Sequence, residues 1–342
     1  MAKMRAAVCH KPRHLTIEEV DKPAPGQGQA VVKVKATGVC GSDVDGYLGR
    51  HPWIKLPIIL GHECSGVVDC VGRGVRSVKP GDSVVVEPLF VCEKCPNCLK
   101  GHYNMCRQIT IIGHQAPGSF AEYILMNERF LHPLPEGISF EVGALAEPIS
   151  GALHGAGRCN LKIGELVVVI GCGTIGYFLT QHALNSGARV LVSEPDARKR
   201  KAALAVGAHW AVDPANESPK DKVRELTDGL GADCVMEAVG VPETIRETVG
   251  LTRKGGRILL MGWTGNQTDA FDCTNMTLDE MTVLGTMGFA WDFPVTLDLL
   301  ARGKVDAGRI ITHRFSLEQT QEALETLHEK RDGVWKAMIV ME

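Results

Sequence analysis

The sequence predicts an α/β protein in two parts, a strand-rich domain and a doubly wound parallel sheet, and three observations carry that prediction. At 342 residues the chain is too long for one typical hydrophobic core. Residues 1–150 read as short Val-rich strands broken by turns, among them "QAVVKVKATGV", "HECSGVVDCVG" and "DSVVVEP". After "EPISGALHGAGRCNLKIGE" the texture changes. "LVVVIGCGTIG", "ARVLVSE", "ADCVMEAVG", "GRILLMG" and "MTVLGTM" are short apolar runs separated by helix-length segments, as in a parallel sheet covered on both faces. From about residue 289 that rhythm stops. The tail "RIITHRFSLEQTQEALETLHEKRDG" reads as a strand, then a helix capped by Ser316 with Glu318 and Gln319 in its first turn.

Composition narrows the function classes. Hydrophobic residues make up 44%, charged residues 23%, and the formal net charge is −3, so no basic excess exists to hold nucleic acid or anionic lipid. The start "MAKMRAAVCHKPRH" lacks an apolar signal region and no apolar run reaches membrane-spanning length, so a cytoplasmic chain is expected. Of 12 cysteines, four fall within residues 92–106. In a long chain without a secretion signal, such clustering points to a metal rather than to disulfides.

"VCEKCPNCLKGHYNMCR" sets Cys92, Cys95, Cys98 and Cys106 in a C-x2-C-x2-C-x7-C pattern. Three thiolates two residues apart can wrap one side of an ion, and the fourth closes a tetrahedron. Zinc is the expected occupant, and a shell of four thiolates leaves no place for water, so the site is structural. An iron–sulfur cluster, also held by four cysteines, is the alternative.

"VVVIGCGTIG" supplies G-x-G-x-x-G as Gly171, Gly173 and Gly176, after an apolar strand and at the opening of a helix. That context makes it a Rossmann cradle: a tight turn, close backbone approach to pyrophosphate, and close helix–strand packing. Ile175, Lys199 and Gly262 are the further cofactor-binding candidates. Glu194 ends the second strand, where a carboxylate accepts both ribose hydroxyls and repels a 2′-phosphate, favouring NAD over NADP. The basic run "ARKRK" just beyond it works the other way.

"LGHECSG" places His62, Glu63 and Cys64 side by side, and Cys40 precedes His62 by 22 residues. A Cys, a His and a carboxylate give zinc three protein ligands and one open position, which catalysis needs to polarise an alcohol or carbonyl oxygen. On an extended strand His62 and Glu63 face opposite ways, so both reach one ion only if Gly61 permits a bend. His62 and Cys64 share a face, and geometry alone leaves Cys64 in contention.

Together, "CGSD", "GHE", the four-cysteine lobe and the later glycine motif resemble the zinc-dependent medium-chain dehydrogenase/reductase family over essentially the whole chain. "ALAEPISGALHG" and "THRFSLEQTQEALE" are most similar to its sorbitol (polyol) dehydrogenase branch. The resemblance implies Cys40, His62 and Glu63 around a catalytic zinc, with Cys64 a small buried residue outside the pattern. It implies that Ser42 takes the alcohol proton and that Asp43 orients His62 through its other ring nitrogen. Glu147 stands where alcohol dehydrogenases carry a third protein ligand, and the resemblance implies that it either hydrogen-bonds zinc-bound water or exchanges onto the metal. The expected layout is a GroES-like catalytic domain over 1–151 with its zinc lobe at 91–107, a Rossmann domain over 152–288, and a return to the first domain over 289–342. Two zincs per chain, NAD, a small-molecule alcohol substrate at the cleft and a homotetramer complete the expectation, with no nucleic-acid or membrane partner.

Plainer readings exist for single residues: Asp43 can cap a helix beginning in "SDVDGYL", and Glu147 can pair with a neighbour. Two departures bear on the substrate. Asp45 replaces the histidine that relays protons to solvent in many relatives. Gly288 and Phe289 replace an Arg-Tyr pair of the sorbitol enzymes, which argues against sorbitol itself. Tyr47, Trp53, His114, Phe289 and Trp291 are the pocket candidates, each with a plain core position as its other reading. The expected reaction passes hydride from a secondary alcohol of a polyol, sugar acid or related molecule to NAD, giving a ketone. A threonine 3-dehydrogenase-type reaction is the alternative, although such relatives resemble "DPFGNAVHT" where this chain has "EPISGALHG". A non-catalytic nicotinamide-binding protein is the remoter one, and a nucleic-acid-associated zinc protein the remotest.

Overall fold

A computed structural model describes residues 2–263 and 271–342. The chain forms two compact units, one of Met1–Glu147, Phe293–Gly303 and Ala307–Glu342, the other of Pro148–Asp292 and Lys304–Asp306.

The first unit is built on a seven-stranded sheet. Its central strand Gln29–Gly38 pairs antiparallel with Glu63–Val71, with Tyr123–Asn127 and with the C-terminal strand Lys336–Val340. Alternation along Gln29–Gly38 buries Val32, Val34 and Ala36, while Lys33 and Lys35 are half-buried on the other face. An N-terminal hairpin, Lys3–Lys11 with His14–Asp21, takes the short strand Ile58–Ile59 as its third member. These sheets enclose a core that includes Ala6, Ala7, Tyr47, Leu60, Phe120, Leu324 and Ile339.

The second unit holds six parallel strands ordered Trp210–Val212, Arg189–Ser193, Leu166–Ile170, Ala232–Glu237, Thr252–Leu260 and Thr282–Gly285. In strand sequence this is the 3-2-1-4-5-6 order of a dinucleotide-binding sheet, with its switch point between Leu166–Ile170 and Ala232–Glu237. Val167, Val168 and Val169 are all fully buried, as a strand covered on both faces requires.

The tail differs in detail from expectation. Ser316 caps a 3-10 turn, Leu317–Gln319, and the α-helix begins only at Thr320 and runs to Glu329. Gln319 sits in the last position of the capping box, its side chain accepting from the Ser316 N–H at 3.1 Å. Among the described residues no helix is long and apolar enough to cross a membrane.

Candidate metal centre and nucleotide cradle

Strand Gln29–Gly38 delivers Cys40 to the N-cap of a short helix, Gly41–Tyr47, and the neighbouring strand begins at Glu63. Between them, Gly61 takes φ +91°, a left-handed conformation that lets the backbone swing before the strand starts. That swing brings ligand atoms of Cys40, His62 and Glu63 within 4.8 Å of one another. Cys64 is fully buried, and desolvation pushes its thiol up to about 12.

Asp43 fills two structural roles. Its Oδ2 accepts from the Cys40 N–H at 2.9 Å, closing the capping box, and its Oδ1 accepts from the Gly61 N–H at 3.0 Å. One carboxylate therefore ties together the two backbone segments that carry Cys40 and His62. The same Oδ1 lies 3.3 Å from His62 Nδ1, outside hydrogen-bond alignment, so this contact is electrostatic. Burial alone would raise the Asp43 carboxyl, but His62 and the Cys40 N–H outweigh it and hold it low. Desolvation likewise opposes a charge on His62, yet Asp43 and Cys40 raise its pKa well above the ordinary value. The centre is thus a buried place that favours positive charge.

The donor set fits a metal ion. Oε1 of buried Glu63 has no hydrogen-bond partner among the described residues, and a buried carboxylate oxygen left so is costly. Thiolate, imidazole and carboxylate are the ligand types of a zinc site with room for a fourth, exchangeable group. Lys336, which the sequence reading overlooked, lies alongside. It is 2% exposed, with Nζ 2.5 Å from Glu63 Oε2 and 2.9 Å from the Val39 carbonyl. Glu147 is partly buried in the first turn of helix Ala146–Arg158, and desolvation pushes its carboxyl up to about 7.

Pocket candidates separate on inspection. Tyr47 is fully buried and its hydroxyl donates to Glu325 at 2.9 Å. The helix turns it into the core against Thr320–Glu329, which corrects its placement as a pocket residue. Phe289 is 2% exposed, while Trp53 and Trp291 are exposed. His114 is the candidate beside the metal centre, its ring 5.0 Å from that of His62 and 4.8 Å from that of His51. Both of its nitrogens are buried without a hydrogen-bond partner among the described residues, and desolvation depresses its pKa to about 3.

In the four-cysteine lobe, all Sγ atoms lie within 4.8 Å of one another, with Cys95–Cys98 at 3.6 Å and Cys92–Cys106 at 3.5 Å. These separations exclude disulfides and approach the ~3.8 Å expected for four thiolates around one zinc at ~2.3 Å. The N–H groups of Arg107 and Cys98 draw the Cys95 thiol down to about 6.

In the second unit, Gly171 turns at φ +85° and Gly173 is the N-cap of helix Thr174–Asn185. A Cβ on Gly176 would overlap the Gly171 carbonyl, so helix and strand pack as the motif demands. Ile175 is partly buried in the first turn of that helix, and Lys199 lies in the helix Ala197–Ala205. Gly262 has no room for a side chain against Gly240 and Glu237. Glu194 is buried at the end of its strand, accepting from the Cys172 N–H at 2.6 Å and the Asp196 N–H at 2.9 Å. The neighbouring guanidiniums are engaged, Arg198 with Asp196 at 2.7 Å and Arg200 with Asp213 at 3.3 Å.

Comparison with known proteins identifies the family. Residues 26–136 match the alcohol dehydrogenase GroES-like domain and residues 174–302 the zinc-binding dehydrogenase family. Sorbitol dehydrogenase of Bacillus subtilis (strain 168) is 30% identical over 342 residues, covering 98% of this chain and 97% of the relative. L-galactonate-5-dehydrogenase of Escherichia coli (strain K12) is 30% identical over 326 residues, 95% of each chain. Among solved structures, rspB from E. coli CFT073 in complex with NADH superposes with a TM-score of 0.92 at 28% identity, covering 100% of both chains. A structure from Sinorhizobium meliloti 1021 bound to NADP gives 0.93 at 30% identity, again over 100% of both. The chain belongs to the zinc-dependent medium-chain dehydrogenase/reductase family, in its sorbitol dehydrogenase-like branch, and is a zinc- and NAD(P)-dependent alcohol dehydrogenase.

Proposed function

We propose that this enzyme oxidises a secondary alcohol of a polyol, a sugar acid or a related polar small molecule to the ketone, with NAD preferred over NADP. One observation carries the reading: the convergence of half-buried Cys40 with buried His62 and Glu63, whose Oε1 has no hydrogen-bond partner among the described residues. The substrate class is supported by relatives named for sorbitol and for L-galactonate.

Cys40, His62 and Glu63 would hold the catalytic zinc, and Cys92, Cys95, Cys98 and Cys106 a second, structural one. When bound, the catalytic zinc supplies a Lewis acid and the nicotinamide a hydride acceptor. The chain's own groups do the rest. Asp43 fixes the backbone on both sides of the centre and faces His62 Nδ1, which leaves the other ring nitrogen for the metal. Ser42, in the first turn beyond Cys40, is the hydroxyl that would relay the substrate proton, accepting it as its own proton passes on toward solvent. Glu147 completes the acidic side of the centre. Gly171, Gly173, Ile175, Gly176, Lys199 and Gly262 make the cofactor cradle. Glu194 reads the ribose: its two oxygens each accept one backbone N–H and each keeps a lone pair for a hydroxyl. The ion pairs of Arg198 and Arg200 argue against a waiting 2′-phosphate site. A homotetramer accompanies the reading on family resemblance alone.

The test is a panel assay on zinc-replete protein with NAD or NADP and polyols, sugar acids, threonine and simple alcohols, following NADH absorbance. Turnover on a polyol or sugar acid that disappears in His62→Ala is the expected result. Turnover confined to threonine or to simple alcohols would overturn the substrate class.

A further inference from the structure

The strongest group outside the assigned chemistry is a buried ammonium. Lys336 begins the strand Lys336–Val340, whose remaining residues Ala337, Met338, Ile339 and Val340 are all apolar. A lone charge in a buried strand is tolerated only when an anion and hydrogen-bond acceptors meet it. Both are present: Glu63 Oε2 at 2.5 Å and the Val39 carbonyl at 2.9 Å. Val39 adjoins Cys40, so one ammonium touches both backbone segments that present ligands.

The sheet register explains the meeting. Met338 lies opposite Gly38 on one side of the central strand, and Glu63 lies opposite Gly38 on the other. Gly38 offers no side chain between them. A Cβ there would overlap Glu63 Oε2 and come within 2.9 Å of Lys336 Cε. The glycine opens the space through which lysine and glutamate make contact across the strand.

We infer that Lys336 is a positioning residue for the metal centre: by engaging Glu63 Oε2 it fixes the carboxylate so that Oε1, buried and without a hydrogen-bond partner among the described residues, is the oxygen offered to the metal. Without the ammonium, both oxygens are equivalent and the carboxylate is free to rotate about its last torsion. A neutral residue in place of Lys336 then leaves Glu63 with no fixed orientation. The inference rests on the zinc reading proposed above.

Its test is zinc affinity, measured by competition with a chromophoric chelator and independent of turnover. The wild-type chain should release two zincs in two phases, and His62→Ala identifies the phase of the buried centre. Lys336→Met should weaken that phase on the order of 10–100-fold, the usual effect of removing a group that orients a ligand, and leave the four-cysteine phase untouched. Lys336→Arg, which keeps the charge, should recover most of the affinity. Glu63→Gln and the double variant Glu63→Gln/Lys336→Met should lose affinity equally, since the lysine then has nothing to position. An unchanged buried phase in Lys336→Met would overturn the inference. So would equal weakening of both phases without rescue by arginine, the mark of a general loss of fold. If wild type and His62→Ala hold the same zinc, the metal assignment itself falls, a different result from either.

Discussion

Gly61→Ala is the perturbation that asks most of the site. Gly61 sits at φ +91°, and a Cβ there would lie 2.5 and 2.7 Å from two ring carbons of Phe120 and 2.8 Å from Ser119 Oγ. Phe120 is fully buried, so its ring cannot swing into solvent. A side chain in this backbone region costs about 1–3 kcal/mol, and forcing a packed ring aside costs about 1–3 kcal/mol more. The sum of about 2–6 kcal/mol is a large part of the 5–15 kcal/mol typical of a folded domain. At roughly 2–4 °C per kcal/mol, the transition of the first unit should fall by about 4–24 °C. Relief requires the backbone to leave its left-handed turn, which would return His62 and Glu63 to opposite faces of a strand. Scanning calorimetry paired with zinc analysis checks both consequences, and the variant should hold one zinc fewer than the parent. A melting temperature within about 1 °C of the parent with zinc content unchanged would refute the claim that this bend assembles the centre.

Three further outcomes are expected. Cys92→Ser should cost the chain its structural zinc, leaving one per chain, and metal analysis showing two would sink the four-thiolate assignment. Glu194→Ala should raise the NADP/NAD ratio of kcat/KM, chiefly by weakening NAD; an unchanged ratio would show that this carboxylate does not read the ribose. His182 is buried with Nε2 3.2 Å from the Ile149 carbonyl, and desolvation lowers its pKa to about 4. The unfolded chain takes up that proton near pH 6.5 and the folded chain only near 4, so stability falls as pH drops through this window. The loss amounts to about 3 kcal/mol at roughly 1.4 kcal/mol per unit. His182→Gln should flatten that part of the stability profile, read from urea midpoints between pH 7 and 4.

What the sequence disclosed depended on how local the cause was. The parallel sheet was legible because burial on both faces writes an apolar residue at every position, as in Leu166–Ile170. The four-cysteine lobe was legible because its ligands sit within one short loop. Geometry alone left Glu63 and Cys64 both open, and the choice of Glu63 rested on the family resemblance. Tyr47 stood open between pocket and core because nothing local gives the direction of its side chain. The helix that Cys40 caps rotates the phenol to Glu325, 278 residues away, and into the core.

Lys336 marks the limit more sharply. A lysine followed by "AMIV" already announces that some acceptor must be buried with it, because an unpaired ammonium in such a strand would be too costly. The chain offers 40 acidic residues, and nothing local chooses among them. The choice is made by two antiparallel registers that place Lys336–Val340 and Glu63–Val71 on either side of Gln29–Gly38, and by a glycine at the crossing point. Gly38 is therefore as much a determinant of the centre as the lysine. Gly38→Ala should reproduce the weakened zinc binding of Lys336→Met while leaving every ligand and the ammonium in the sequence. Normal zinc affinity in a folded Gly38→Ala protein would mean that the lysine–glutamate contact does not need the gap.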